Sequence, residues 1–448
     1  MSNPRLFQRP GETKPLQFRG ARLFDPRSGL DQISDLTVEA GCISSIGDAG
    51  PTGSSEGAEV VDCTGLLLMP AFVDPHVHFR TPGQENKEDL VTGTRAAAAG
   101  GYCAVIAMAN TEPPVDSASV LGSVIERAEK ECCIPTGFVG CVTKGMRGEE
   151  LAEMAEMREV GAIGFSDDGL PIADGGVLRR ALQYQRLVGG TFALHEEAPD
   201  LSGSGVMNEG AVSALLGMEG IPSVSESAII SRDCEIALYE DARIQIQHLS
   251  ARASVEAIKR AKEAGTKVTC EVTPHHLLLT DGEVRGLDAH FKMNPPLRTE
   301  DDRRSLVEGL RDGTIDCVAT DHAPHAAEDK EVPFEQAAMG VTGLETAFSV
   351  LYSELVLPGT LELGRLVEAM TCGGEAFGVD APRMETGSNA DLVLVDPADV
   401  WTVGEDGYES RSTNSCFAGR KLTGRVLMTV AAGQVAYRHR AFAMAVAE

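Results

Sequence analysis

Ala71-Phe-Val-Asp-Pro-His-Val-His78 is a short apolar, β-branched run that ends in two imidazoles. Seven more runs share its form: Tyr102 to Asn110, Thr136 to Val142, Ala162 to Asp168, Thr191 to Glu196, Ile244 to Ser250, Val268 to His276 and Cys317 to Pro324. Between them lie stretches with apolar residues at three- and four-residue spacing and charges between, such as Lys87 to Ala99, Glu149 to Val160, Val255 to Ala264 and Asp301 to Arg311. Strand runs alternating with helical patterns indicate repeated βα units round a parallel sheet. Eight such units predict a closed (β/α)8 barrel of the TIM type, the competing arrangement being two smaller doubly wound domains.

The ends of the runs support closure. His76, His78, Asn110, Asp168, His195, His248, His276 and Asp321 each fall at or near a strand end, and a parallel barrel builds its active site from the C-terminal ends of its strands.

On either side the pattern changes. Leu16 to Asp62 and Asp391 to Tyr437 alternate apolar and polar residues over short distances broken by Gly, Asp and Pro, as half-buried antiparallel strands do. Both ends are therefore assigned to one small composite β-sandwich, with residues 1–65 and 385–448 flanking a barrel of residues 66–384. Residues 47–57 form a Gly/Ser-rich loop, and the chain has neither repeats nor low-complexity tracts.

A chain of 448 residues with 43% hydrophobic and 24% charged residues can bury a large core and exceeds the usual limit of a single one. Its formal charge of −28 excludes nucleic-acid and anionic-membrane binding as expected roles, because both partners would be repelled. No apolar run reaches transmembrane length, and Met1 to Phe18 has no apolar signal core. The 11 cysteines are scattered, with no C-x-x-C pair, so buried thiols in a reducing cytoplasm are expected.

Residues two apart on a strand share a face, so His76 and His78 can converge on one ion. An isolated H-x-H is more often a hydrogen-bonded core pair. Here His195, His248 and Asp321 close other strands of the same barrel, and this His-rich set with carboxylates suits zinc, manganese or iron. In Ser166-Asp167-Asp168-Gly169 one aspartate can face the lumen and bridge two ions, while the other caps or turns; alternation alone leaves open which. His276 lines the cup or is structural, His322 points away from Asp321, and His290 and His439 read as surface residues.

Asp74-Pro-His-Val-His-Phe-Arg80, Pro82-Gly-Gln-Glu85, Thr92 to Gly101, Asn110-Thr-Glu-Pro-Pro114, Phe165-Ser-Asp-Asp-Gly169, Lys292-Met-Asn-Pro-Pro-Leu-Arg298 and Ala319-Thr-Asp-His-Ala-Pro-His325 together resemble the type I dihydroorotases of the amidohydrolase superfamily, over nearly the whole chain. The resemblance implies reversible cyclisation of N-carbamoyl-L-aspartate to L-dihydroorotate in de novo pyrimidine (UMP) biosynthesis. It implies two Zn2+ per subunit, one on His76 and His78, the other on His195 and His248, with Asp168 between them and Asp321 as both ligand and proton-transfer group. It also implies that Arg80, Asn110, Asn294 and His325 hold the substrate. It further implies a mobile cover over His325 to Gly340, with the backbone near Met339 and Gly340 against the ring.

Three positions depart from the family's habit: Ala109 before Asn110, Met69-Pro-Ala71 before the first strand, and Glu196 after His195. None removes a ligand. Hydantoinases, dihydropyrimidinases and allantoinases are similar but bridge their metals with a carboxylated lysine on the fourth strand, where this chain has Phe165-Ser-Asp-Asp168 and no lysine. The chemistry expected is attack by a metal-bound hydroxide, since bound water's pKa can fall from 15.7 to about 7, with Asp321 as general base and then general acid. The partner expected is the small-molecule substrate. A homo-oligomer or an aspartate transcarbamoylase complex is left open, a metal-free structural subunit of such a complex being the contrasting reading.

Overall fold

Eight parallel strands follow one another in chain order round the central sheet: β1 (Phe72–Val77), β2 (Tyr102–Ala107), β3 (Thr136–Gly140), β4 (Gly164–Phe165), β5 (Thr191–Leu194), β6 (Arg243–Ile246), β7 (Lys267–Val272) and β8 (Cys317–Val318). The ring closes where Val77 bridges His322 in parallel and His78 N donates to His322 O at 2.9 Å. Each expected run coincides with one of these strands, β6 and β7 beginning one residue earlier than their runs, and closure excludes the doubly wound alternative. The computed structural model describes residues 4–47 and 57–442; most of the Gly/Ser-rich stretch 47–57 lies outside the described residues.

Burial explains why these runs are apolar throughout. Every residue of β1, β2, β3 and β5 is buried, because the lumen covers one face and the outer helices the other. The helices show their own logic. In Leu90–Ala99, Asp89 caps the start by accepting from Thr92 N at 2.8 Å, an interaction of about 1 kcal/mol. Its small buried residues, Ala96 to Ala98, lie close against the sheet.

Several strands are shorter than their runs. β4 and β8 have two residues each, because the polar ends leave the ladder to enter the site: Asp321 has φ 46° and His248, beyond β6, φ 28°. The helix expected over Glu149 to Val160 begins only at Met154. Upstream of it, Leu151 bridges Thr143 and Lys144 N donates to Glu150 O, which holds that segment extended. His275 and His276 lie past β7 in the short helix Pro274–Leu278, started by Pro274 and capped by Thr273.

Both chain ends build one continuous sheet, ordered Gln434–Arg438, Lys421–Ala431, Leu392–Thr402, Leu67–Pro70, Leu16–Asp25, Leu30–Glu39 and Cys42–Ile46, with Glu59–Asp62 beside Leu16–Asp25. Alternation divides its side chains between two cores. Leu392 and Leu394 join Leu16, Phe18, Leu36 and Met428 in a small core of the sheet's own, so the sheet curls over itself, while Val393 and Val395 pack into the barrel core. Leu67–Pro70 belongs to this sheet, pairing with both Leu392–Thr402 and Leu16–Asp25. The chain therefore enters the barrel at Ala71 rather than at Leu66.

All 11 cysteines are free, and all but Cys42 and Cys372 are buried. Among the described residues, no helix is long and apolar enough to cross a membrane.

Candidate active site

At the C-terminal mouth of the barrel, a cavity of about 290 Å³ is lined by His78, Arg80, Asn110, Asp168, His195, His248, Asn294, Asp321, His325, Met339 and Gly340. His76 lies directly beneath, fully buried. Thus all the residues singled out for metal, substrate or proton transfer meet in one place, although they come from seven strand ends and the loops beyond them.

Asp168 is the centre of the arrangement. Two groups of three side chains that could hold a metal ion, His76, His78 and Asp168, and Asp168, His195 and His248, each bring one nitrogen or oxygen per residue within 4.8 Å of one another. Asp168 Oδ1 is buried without a hydrogen-bond partner, while His76 Nε2, His248 Nε2 and His195 Nδ1 stand 3.4, 3.8 and 3.9 Å from it. Asp168 Oδ2 is 3.4 Å from His78 Nε2. These separations are too long for good hydrogen bonds. They suit ligands sharing an ion, since atoms about 2.1 Å from a tetrahedral metal lie about 3.4 Å apart. The donor set therefore fits divalent ions with nitrogen and oxygen ligands.

Asp167 is placed differently. Its carboxylate accepts from Val142 N at 2.7 Å and from Thr143 N and Oγ1, which ties the β4 loop to the end of β3. Burial raises its pKa to about 6 in spite of those donors. The two neighbouring aspartates thus divide as alternation requires, one toward the lumen and one into the loop.

Electrostatics leave the site ready for cations. Burial opposes the charge of Asp168, but the imidazoles of His76 and His248 outweigh it and hold the carboxyl well below its usual range. Asp321 behaves alike: burial is overcome by His76 and His78, and its Oδ1 is 2.9 Å from His78 Nε2 and 3.5 Å from His76 Nε2. Burial, aided by His248, pushes His195 down to about 4, so it is a neutral donor of electrons near pH 7.

A second layer orients these groups, and sequence reading missed it. His76 Nδ1 meets Glu271 Oε1 at 2.5 Å, and Glu271 in turn accepts from Gln245 Nε2 at 2.7 Å. Asp74 accepts from Thr320 Oγ1 at 2.6 Å and from His76 N at 3.1 Å, joining the ends of β1 and β8. His322 does face away from Asp321, toward Glu88 Oε2 at 3.3 Å. The only hint of Glu271 in the sequence is a lone acid inside an otherwise uncharged strand interior.

On the cavity wall, Arg80 is half-buried with φ 56° and, among the described residues, its guanidinium makes one hydrogen bond, Nε to Pro324 O at 3.3 Å. Its terminal nitrogens remain for a ligand. Asn110 reaches His78 Nδ1 at 2.8 Å and Asp168 Oδ2 at 3.2 Å. Asn294 Oδ1 is buried and unpartnered, while its Nδ2 is 3.4 Å from His195 Nε2.

Of its two readings, His276 takes the structural one: Thr273 Oγ1 at 2.8 Å and Pro295 O at 3.0 Å engage both ring nitrogens, and burial keeps it neutral. His439 is half-buried against Arg425 Nη1 at 2.9 Å rather than a surface residue. The cover over His325 to Gly340 is pinned: Lys330 Nζ donates to Ala289 O, Lys292 O and Ala338 O at 2.8–3.1 Å, and Gly340 N donates to Lys292 O. These bonds hold the segment against residues 289–292 beside the cavity in this structure.

Comparison with known proteins gives the family. The family model described as Dihydro-orotase-like matches residues 65–254. The dihydroorotase of Trichlorobacter lovleyi is 43% identical over 95% of this chain and 100% of its own length, and that of Geobacter metallireducens 43% over 94% and 99%. Among solved structures, the L-hydantoinase (dihydropyrimidinase) of Arthrobacter aurescens superposes with TM-score 0.83 at 25% identity, covering 94% of this chain and 95% of that one. The dihydropyrimidinase of Brevibacillus agri shares the fold, with TM-score 0.81 at 23% identity over 95% of each chain. By its identity to these relatives over nearly their whole length, the chain belongs to the dihydroorotase family.

Proposed function

We propose that this chain is a dihydroorotase of pyrimidine biosynthesis, interconverting N-carbamoyl-L-aspartate and L-dihydroorotate. The carrying observation is the pairing, in one cavity, of a two-cluster ligand set centred on Asp168 with the uncommitted guanidinium fork of Arg80. An amide ring that also bears a carboxylate meets both demands. Hydantoins lack that carboxylate, and the fourth strand lacks the lysine on which hydantoinase-type sites depend.

His76, His78 and Asp168 would hold one divalent ion and Asp168, His195 and His248 the other, zinc being the metal that this mixture of imidazole and carboxylate suits. Bound there, the ions supply an acidified water and Lewis-acid polarisation of the amide carbonyl. Asp321, ionised beside His76 and His78, accepts a proton on the side facing the cavity and returns it to the leaving ring nitrogen during opening. Ring closure uses the same positions in reverse. Arg80 grips the substrate carboxylate through its planar fork, with Asn110 and His325 beside it. The unpartnered Asn294 Oδ1 accepts from a ring N–H. Met339 and Gly340 pack over the ring; Gly340 N is already committed to Lys292 O, so its contribution is close packing rather than donation.

A reducing compartment such as the cytoplasm is supported by the 11 free thiols. The test is ring closure: purified, zinc-supplemented protein given N-carbamoyl-L-aspartate should form L-dihydroorotate, identified by mass. Unchanged substrate at every pH between 6 and 9 would contradict the proposal.

A further inference from the structure

The curled outer sheet does more than flank the barrel. Between its strands Leu392–Thr402 and Lys421–Ala431 the chain leaves the sheet, and residues 408–416 return across the barrel mouth. Two carboxylates, the half-buried Glu345 and the fully buried Glu88, receive this excursion. Glu345 accepts from Glu409 N at 2.9 Å and Ser410 N at 3.1 Å, and Glu88 accepts from Arg411 N at 3.2 Å and from Ser410 Oγ. Ser412 Oγ adds a bond to Lys87 O at 2.6 Å.

At the end of this path Asn414, 3% exposed, uses its whole amide on the arm that forms the cavity's wall. Oδ1 accepts from His325 N at 3.1 Å, and Nδ2 donates to Ala323 O at 3.2 Å and Gly340 O at 3.1 Å. Its backbone O accepts from Thr342 N at 3.2 Å. The Asn414 side chain thus ties together residues 323–325 and 340–342, the two strips that present His325 and Gly340 to the cavity, beside their own backbone bond from Ala323 N to Val341 O at 2.9 Å and the contact of His325 Nε2 with Met339 O at 2.9 Å. The strips lie close together: a Cβ on Gly340 would stand 2.7 Å from the Ala323 Cβ and 3.1 Å from His325 Nε2.

We propose that Asn414, supplied by the outer sheet, is a positioning residue that sets substrate affinity by holding the two strips of the arm in register. It does not face the ligand cluster, so the proton transfer of Asp321 and the metal content do not depend on it. This inference rests on the dihydroorotase reading, and the design separates the two. Wild type must first turn over L-dihydroorotate; if it does not, that reading fails and not this one.

Asn414→Asp keeps the shape but turns an oxygen toward two carbonyls, and Asn414→Ala removes all three bonds. Each is expected to raise KM for L-dihydroorotate about tenfold, with kcat within about threefold of wild type and metal content unchanged. Arg411→Ala, whose side chain pairs with Asp89 on the outside of the same excursion, should leave KM within about twofold. A KM unchanged in both Asn414 variants, or a fall in kcat alone, overturns the proposal. Should neither variant fold, hydrogen exchange of wild type decides. Saturating N-carbamoyl-L-aspartate should slow exchange in 408–416 together with 323–342, and protection confined to 323–342 overturns it.

Discussion

Glu271 Oε1 lies 2.5 Å from His76 Nδ1, at the bottom of the site and wholly shielded from water. This contact fixes which imidazole nitrogen faces Asp168, because Nδ1 is engaged by the carboxylate and Nε2 is left toward the lumen. Glu271→Gln removes the charge while keeping a similar shape. Metal affinity, measured by competition with a chromophoric chelator, should fall about 10- to 100-fold. Affinity equal to wild type would mean that His76 is oriented by packing and by Gln247, whose Nε2 lies 3.3 Å from His76 Nδ1.

Asp167 and Asp168 are neighbours with opposite duties, so they make a paired test. Asp168→Ala should lose metal and activity together. Asp167→Ala should retain metal but leave Val142 N and Thr143 N without their acceptor, lowering stability by about 1–3 kcal/mol in chemical denaturation. Full metal occupancy in Asp168→Ala would overturn the bridging assignment.

Asp321→Asn retains an oxygen near His78 but cannot take a proton. A fall in kcat of about 10²- to 10⁴-fold, with KM little changed, is expected from steady-state kinetics on metal-loaded protein. A variant within threefold of wild-type kcat would assign the proton transfer elsewhere.

Glu345 carries a pH signature. Burial pushes its carboxyl from an ordinary 4.5 up to about 7 against the donors Glu409 N and Ser410 N. The folded state therefore binds this proton more tightly than the unfolded chain. Its stabilising contribution is complete below about pH 4.5 and is lost as pH rises through 7. Between pH 5 and 8 wild type should lose stability relative to Glu345→Gln, by on the order of 2 kcal/mol in urea titrations. A difference between the two proteins that stays constant over that range would contradict the assignment.

How much of this was legible in the sequence depends on whether the interaction is local. The barrel strands were readable because burial on both faces demands apolar runs, as in Phe72–Val77, and the ligands were readable because barrel geometry collects strand ends. What failed was local backbone detail. Asp321 and His248 take left-handed φ, which ends the ladder early, and Pro274 starts a helical turn that withdraws His276 from the cup. The supporting layer was invisible for a different reason. Glu271 pairs with a residue 195 positions away, and Asn414 meets His325 across 89 positions from within a polar loop, where no periodicity marks it.

The most direct measurement is ring opening of L-dihydroorotate by the purified protein, followed by loss of ultraviolet absorbance, with hydantoin and allantoin in parallel and metal content determined on the same sample. The account predicts selective opening of dihydroorotate that a chelator abolishes and zinc restores. A fully metallated sample that leaves dihydroorotate intact, or opens hydantoin equally well, would contradict it.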